Sequence, residues 1–138
     1  MQPGDRFGPS SWVEIPQSRI DAFAAATGDH QWIHVDPERA AAGPFGTTIA
    51  HGYLTLSLLP AASFELLPRQ GRMGINYGLN RVRFPAPVPV DSRLRVTFEV
   101  VAVEEIAGGG QNTLQATIER EGGDKPVCVA EIVFRYYE

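Results

Sequence analysis

The chain predicts an α+β fold in which a curved antiparallel sheet wraps around one central buried helix. Three observations carry this expectation. The first half of the chain has helical patterning and the second half is rich in strand patterning. The segment Ile49 to Leu67 has almost no polar face, with Leu54, Leu58, Leu59, Ala62 and Leu66 among its apolar residues, and a helix that is apolar all round is a buried one. The alternating segments that follow are joined by short glycine turns, which connect antiparallel neighbours.

The elements follow in order. Trp12 to Ile15 reads as a short edge strand ended by Pro16. Gln17 to Ala26 reads as a helix, with Ile20, Phe23 and Ala24 on one stripe, Ser18 able to cap its start and Gly28 suited to the left-handed position after its end. Asp36-Pro37 is a helix start, since proline suits the first helical position. It opens a short helix over Glu38 to Ala42, and Gly43 to Gly46 form a turn. Ile49 to Leu67 is the central helix, bent at Pro60 and ended by Pro68. Met73 to Phe84 is a strand with Gly74 and Gly78 as candidate bulges. Leu94 to Ala102, Leu114 to Ile118 and Cys128 to Tyr136 each alternate with a period of two, separated by turns at Gly108 to Gly110 and Gly122 to Asp124.

Composition narrows the function. At 138 residues the chain fits one domain, 1–138, with 43% hydrophobic and 20% charged residues. A net charge of −4 argues against a general nucleic-acid partner, which needs a dominant basic surface. The one cysteine, Cys128, excludes an internal disulfide and lies on an apolar strand face. His30 and His34 have the i, i+4 spacing of zinc ligands, but no glutamate completes a His-Glu-x-x-His pattern, so no metal is expected. Met1 to Ser11 does not read as a secretory signal, and no apolar run reaches the roughly 18 residues of a membrane span, so a cytoplasmic protein without a membrane partner is the expectation.

The most informative segment is Gly28-Asp29-His30-Gln31-Trp32-Ile33-His34. It sets a carboxylate and an imidazole five positions apart, both common acid/base groups. Five helical residues span roughly 140° around the axis, so the pair converges more easily on a loop or a helix end.

Extended to Thr27 before it and Val35-Asp36-Pro37 after it, and together with Pro44-Phe45-Gly46-Thr47-Thr48-Ile49-Ala50-His51-Gly52-Tyr53-Leu54 and Asn76-Tyr77-Gly78-Leu79-Asn80-Arg81-Val82-Arg83-Phe84-Pro85-Ala86-Pro87-Val88, this segment makes the chain resemble the MaoC-like dehydratases. These are R-specific enoyl-CoA hydratases of the hot-dog fold, and the resemblance is strongest to the nodulation-protein-N-like branch. It implies that Asp29 and His34 activate a water and that the Gly52 N–H is the oxyanion donor. It further implies reversible hydration of a trans-2-enoyl thioester to the (R)-3-hydroxyacyl form, without a cofactor, in a homodimer. The substrate would be an acyl-CoA or an acyl-carrier thioester. Two departures stand out: Gln31-Trp32-Ile33 replaces the usual Asn-Pro-Leu, and Pro60 stands where some relatives carry a serine.

The chemistry needs a base for the attacking water, an acid for Cα and donors for the thioester oxygen. A helix start offers such donors, and a glycine permits close approach. Gln31, Trp32, His51, Tyr77 and Asn80 are candidate substrate-binding residues. Arg72, Arg81 and Arg83 are read as a basic cluster for the CoA phosphates, with Arg81 and Arg83 facing the same way if alternation holds. A binding module without turnover and a thioesterase on the same fold are the competing readings, because fold alone decides neither.

Overall fold

The computed structural model describes residues 1–138. One antiparallel sheet of six strands carries the structure: β1 (Arg6–Phe7), β2 (Val13–Ile15), β3 (Met73–Arg83), β4 (Ser92–Ile106), β5 (Gly109–Arg120) and β6 (Cys128–Tyr137). The strand order is β1-β4-β5-β6-β3, and β2 also pairs with β4. The helices α1 (Gln17–Thr27), α2 (Trp32–Val35), α3 (Pro37–Ala41), α4 (Gly52–Leu56) and α5 (Leu59–Leu66) all precede β3 in the chain. No helix is long and apolar enough to cross a membrane.

Period-two patterning builds the core. Leu94, Val96, Phe98 and Val100 of β4 face inward beside Leu114, Ala116 and Ile118 of β5 and Cys128 and Ala130 of β6. Ile20 from α1, Leu54 from α4, and Leu58, Leu59 and Ala62 pack onto this inner face. Burial pushes the Cys128 thiol up to about 11, in keeping with an inert core residue.

Four local expectations are corrected. Ile49 to Leu67 is not one helix: α4 ends at Leu56 and α5 starts afresh at Leu59. Pro60 sits in the first turn of α5, where its missing N–H costs least, and Ser57 Oγ donates to the Leu54 carbonyl at 2.6 Å at the break. Nor is the pair buried all round, since Tyr53 is 75% and Phe64 88% exposed. The start of α1 is flanked by Pro16, and Ser18 caps nothing. Only Gly108 belongs to the β4–β5 turn, at φ 82°, and β5 begins at Gly109. A Cβ on Gly109 would fall onto the Tyr136 carbonyl, so close strand approach demands glycine there.

The bulges also differ from expectation. Gly74 pairs regularly with Tyr136, and the register of β3 against β6 slips between Asn76 and Gly78 and between Leu79 and Arg81. Tyr77 and Asn80 are the extra residues, and each bulge keeps two successive side chains on one face.

Phe98 is fully buried at the centre of the sheet. Phe98→Ala should lower unfolding free energy by about 3–5 kcal/mol in urea titration at fixed protein concentration. A loss below about 1 kcal/mol would contradict its central place in the packing.

Candidate active site

Gly28 ends α1 in the left-handed conformation, φ 84°, with its N–H on the Ala24 carbonyl at 2.8 Å. That turn releases Asp29 into an exposed loop, where Asp29 Oδ1 accepts the Gln31 N–H at 3.3 Å. His34 falls within the single turn of α2 and is 6% exposed. Asp36 then caps α3 by accepting the Arg39 N–H at 3.1 Å, as the Asp-Pro start predicts.

His34 is held by the segment before α4. The Ile49 N–H donates to the Ile33 carbonyl at 3.0 Å, and His34 Nδ1 donates to the Ile49 carbonyl at 2.7 Å. A carbonyl only accepts, so Nδ1 carries the proton and Nε2 keeps a lone pair. His51, at the N-cap of α4, stacks on His34 with ring centroids 3.9 Å apart. Its Nε2 donates to the Asp29 backbone carbonyl at 3.0 Å, and Phe23 covers it at 4.8 Å. One ligand atom each from Asp29, His34 and His51 lie within 4.8 Å of one another. One bridging water with two bonds of about 2.8 Å spans such a gap.

Burial holds the His34 imidazolium below its ordinary range; the Ile49 carbonyl pulls upward, His51 pushes down and Asp29 pulls up, in decreasing order of effect. The ring is therefore a neutral base at pH 7. The same trio is the donor set that could hold a metal; of the three histidines weighed from sequence it includes His34 and His51 but not His30. His34 Nδ1 and His51 Nε2 are already donors to carbonyls.

Gly52 is the first residue of α4, so its N–H has no intrahelical acceptor, and it takes none from the flanking loops. A Cβ there would stand 3.1 Å from the Phe84 ring, so the glycine lets Phe84 pack closely against the start of α4. The chain after β3 reaches this point because Ala50 N–H donates to the Val88 carbonyl and Val90 N–H to the Thr48 carbonyl, at 2.8 and 2.9 Å.

The structure thus brings Asp29, His34, His51 and Gly52 together, with the exposed Gln31 on the same loop. Other sequence expectations need correction. His51 is 2% exposed; its Nε2 clamps the Asp29 loop, while its Nδ1 has no hydrogen-bond partner. Trp32 packs against Gly43, and Arg39 lies over its ring at 4.5 Å. Tyr77, Asn80, Arg81 and Arg83 lie on the outer face of the sheet, away from the helices. Tyr77 meets Arg135 at 3.5 Å, Asn80 donates to Glu131 at 2.8 Å, and Arg81 and Arg83 pair with Glu131 and Val129. Arg81 and Arg83 do face the same way, but Arg72 precedes the other end of β3, roughly 30 Å along the strand, so no three-arginine cluster forms. Sequence reasoning missed Phe84, Thr48 and Gln17. Gln17 donates to the His34 carbonyl at 2.7 Å and accepts from Thr48 at 2.5 Å. Contacts across such separations leave no periodic signal.

Residues 1–125 match the MaoC like domain family. The chain is 58% identical over 135 residues to 3-hydroxyacyl-thioester dehydratase Z of Mycobacterium tuberculosis, covering 96% of this chain and 89% of that protein. It is 48% identical over 132 residues to nodulation protein N of Rhizobium leguminosarum bv. viciae, covering 92% and 81%. Among solved structures, the unliganded R-hydratase PhaJ1 from Pseudomonas aeruginosa superposes with a TM-score of 0.82 at 28% identity, covering 100% of this chain and 83% of that one. The shared architecture is the hot-dog fold.

The lowered His34 value has a consequence for stability. The unfolded histidine titrates near 6.5, so below that pH the unfolded chain binds more protons than the folded one and the fold loses stability. Urea midpoints should fall between pH 7 and pH 5, and His34→Gln should make that fall shallower. Equal slopes in the two proteins would remove burial of His34 as the cause.

Proposed function

The chain belongs to the MaoC-like domain family, and from that premise we propose that it is a cofactor-independent hydratase/dehydratase of acyl thioesters, a lyase of acyl-chain metabolism. We take residues 1–138 as one such domain. The reaction is reversible addition of water across a trans-2-enoyl thioester, giving the (R)-3-hydroxyacyl thioester. The observation that carries this reading is an Asp29 carboxylate oxygen within 4.8 Å of a ring nitrogen of the buried, neutral His34, beside the free N–H of Gly52.

In this reading water sits between Asp29 and His34. The His34 Nε2 lone pair takes one proton as the water oxygen bonds to Cβ, and the Cα–Cβ π electrons move toward the thioester carbonyl. The Gly52 N–H donates a hydrogen bond to that oxygen while negative charge builds on it. Asp29 orients the water, and a proton returned through the pair closes the Cα–H bond. Gln31 borders the entrance, and the half-exposed Phe84 gives the acyl chain an apolar wall beside Gly52. The substrate in this reading is an acyl-CoA or a carrier-bound acyl thioester, with the cytoplasm as its place of work.

A homodimer belongs to the same proposal. β3 is a long edge strand with no neighbour on its outer side, and a long free edge is a site for strand pairing. Tyr53, Phe64, Ile75 and Leu79 are large apolar side chains exposed in the single chain, surface that a second copy could cover.

Two experiments test this reading. Loss of enoyl absorbance on adding crotonyl-CoA should be catalysed, and Asp29→Asn and His34→Ala should each lower kcat/KM by about 10²-fold or more. Wild-type rates in both variants, or release of free thiol without hydration, would sink the assignment. Sedimentation equilibrium should give twice the chain mass, and Phe64→Glu should shift it toward monomer, since Phe64 is already 88% exposed in the single chain. A monomeric wild type would remove the dimer.

A further inference from the structure

Gln17, the first residue of α1, is half-buried, and its amide has three partners. Nε2 donates to the His34 carbonyl at 2.7 Å and to Asp21 Oδ1 at 2.9 Å, and Oε1 accepts the Thr48 hydroxyl at 2.5 Å. A carbonyl and a carboxylate can only accept, so the orientation of the amide is determined by its partners. Thr48 is 1% exposed, and its hydroxyl has no water to turn to.

We propose that Gln17 is the positioning residue for the His34 base. One amide ties the backbone of residue 34 to Thr48, and Thr48 is bonded covalently to Ile49, whose carbonyl takes the His34 Nδ1 proton. The links close into a ring: Gln17 amide, His34 backbone, His34 imidazole, Ile49 carbonyl, Thr48 hydroxyl, and back to Gln17. The span from the His34 backbone to the Ile49 carbonyl is thereby set from outside the site. That span decides how deep the imidazole sits and whether Nδ1 can reach its acceptor. Keeping the proton on Nδ1 leaves the Nε2 lone pair for water, with the Asp29 carboxylate and the His51 ring as the groups facing His34. Gln17 itself touches no reacting atom.

Only the kinetic arm of the test rests on the proposed hydratase reaction. Gln17→Met keeps length and helix propensity but removes both polar ends, Thr48→Val is isosteric, and Thr48→Ser restores the hydroxyl. Long-range ¹H–¹⁵N spectra of the histidine rings should show a single Nδ1–H tautomer for His34 in wild type and Thr48→Ser, and mixed tautomers in Gln17→Met and Thr48→Val. In crotonyl-CoA hydration the two disrupting variants should lose kcat on the order of tenfold to a hundredfold with KM within about twofold. The acid limb of their kcat/KM profiles should move to lower pH, because the Ile49 bond is what raises proton affinity at His34. An unchanged tautomer and an unmoved acid limb, whatever happens to overall rate or stability, would overturn the positioning role. A wild type without hydratase activity but with tautomers mixed by Gln17→Met would sink the proposed reaction and uphold the positioning role.

Discussion

The bond from His34 Nδ1 to the Ile49 carbonyl is the interaction on which the rest of the site depends. It joins the helical loop after α1 to the segment that leads into α4, two parts of the chain with no sheet pairing between them. Its partner, the Ile49 N–H on the Ile33 carbonyl, makes the junction two-stranded. Burial of the ring raises the worth of both bonds, since an unpaired polar group there would carry its full desolvation penalty of about 1–3 kcal/mol. The junction thereby brings three chemically different groups to one place: an imidazole lone pair, an exposed carboxylate and a helix-start N–H. None of the three comes from the sheet. The sheet supplies the floor that α4 stands on and, through the chain after β3, the phenyl ring beside Gly52.

Much of the fold was legible because local rules coincide with the tertiary structure. The left-handed Gly28, the Asp36-Pro37 start and the alternation of Leu94 to Val100 are all consequences of short-range geometry, and each stands where the pattern puts it. The central apolar segment was misread for a physical reason. Periodicity cannot separate a helix buried by its own sheet from one whose far side awaits another surface, and Tyr53 and Phe64 are on that far side. Pro60 signals a disturbance, but whether it bends a helix or begins a new one depends on the Ser57 turn before it.

The site was legible in its chemistry and less so in its extent. Asp29, His34 and Gly52 share a neighbourhood as their motifs imply. The residues assigned along β3 did not join them in the single chain: Arg81 and Arg83 stand opposite Glu131 and Val129 of β6, and that pairing is set by residues more than forty positions further along the chain. The supporting residues Gln17, Thr48 and Phe84 contribute through single long-range contacts, for which a one-dimensional pattern has no counterpart. His51 shows the middle case: its position beside Gly52 drew attention, and its buried ring turned out to serve the loop.

The loop from Asp29 to His34 is pinned at both ends, by His51 on the Asp29 carbonyl and by Ile49 on the His34 ring. It behaves like a bridge deck resting on two abutments. Residues within the span can change over evolutionary time without displacing the ends, provided the length stays the same. His30 and Gln31, both exposed within the span, can then be exchanged for other side chains with little displacement of the two anchored ends.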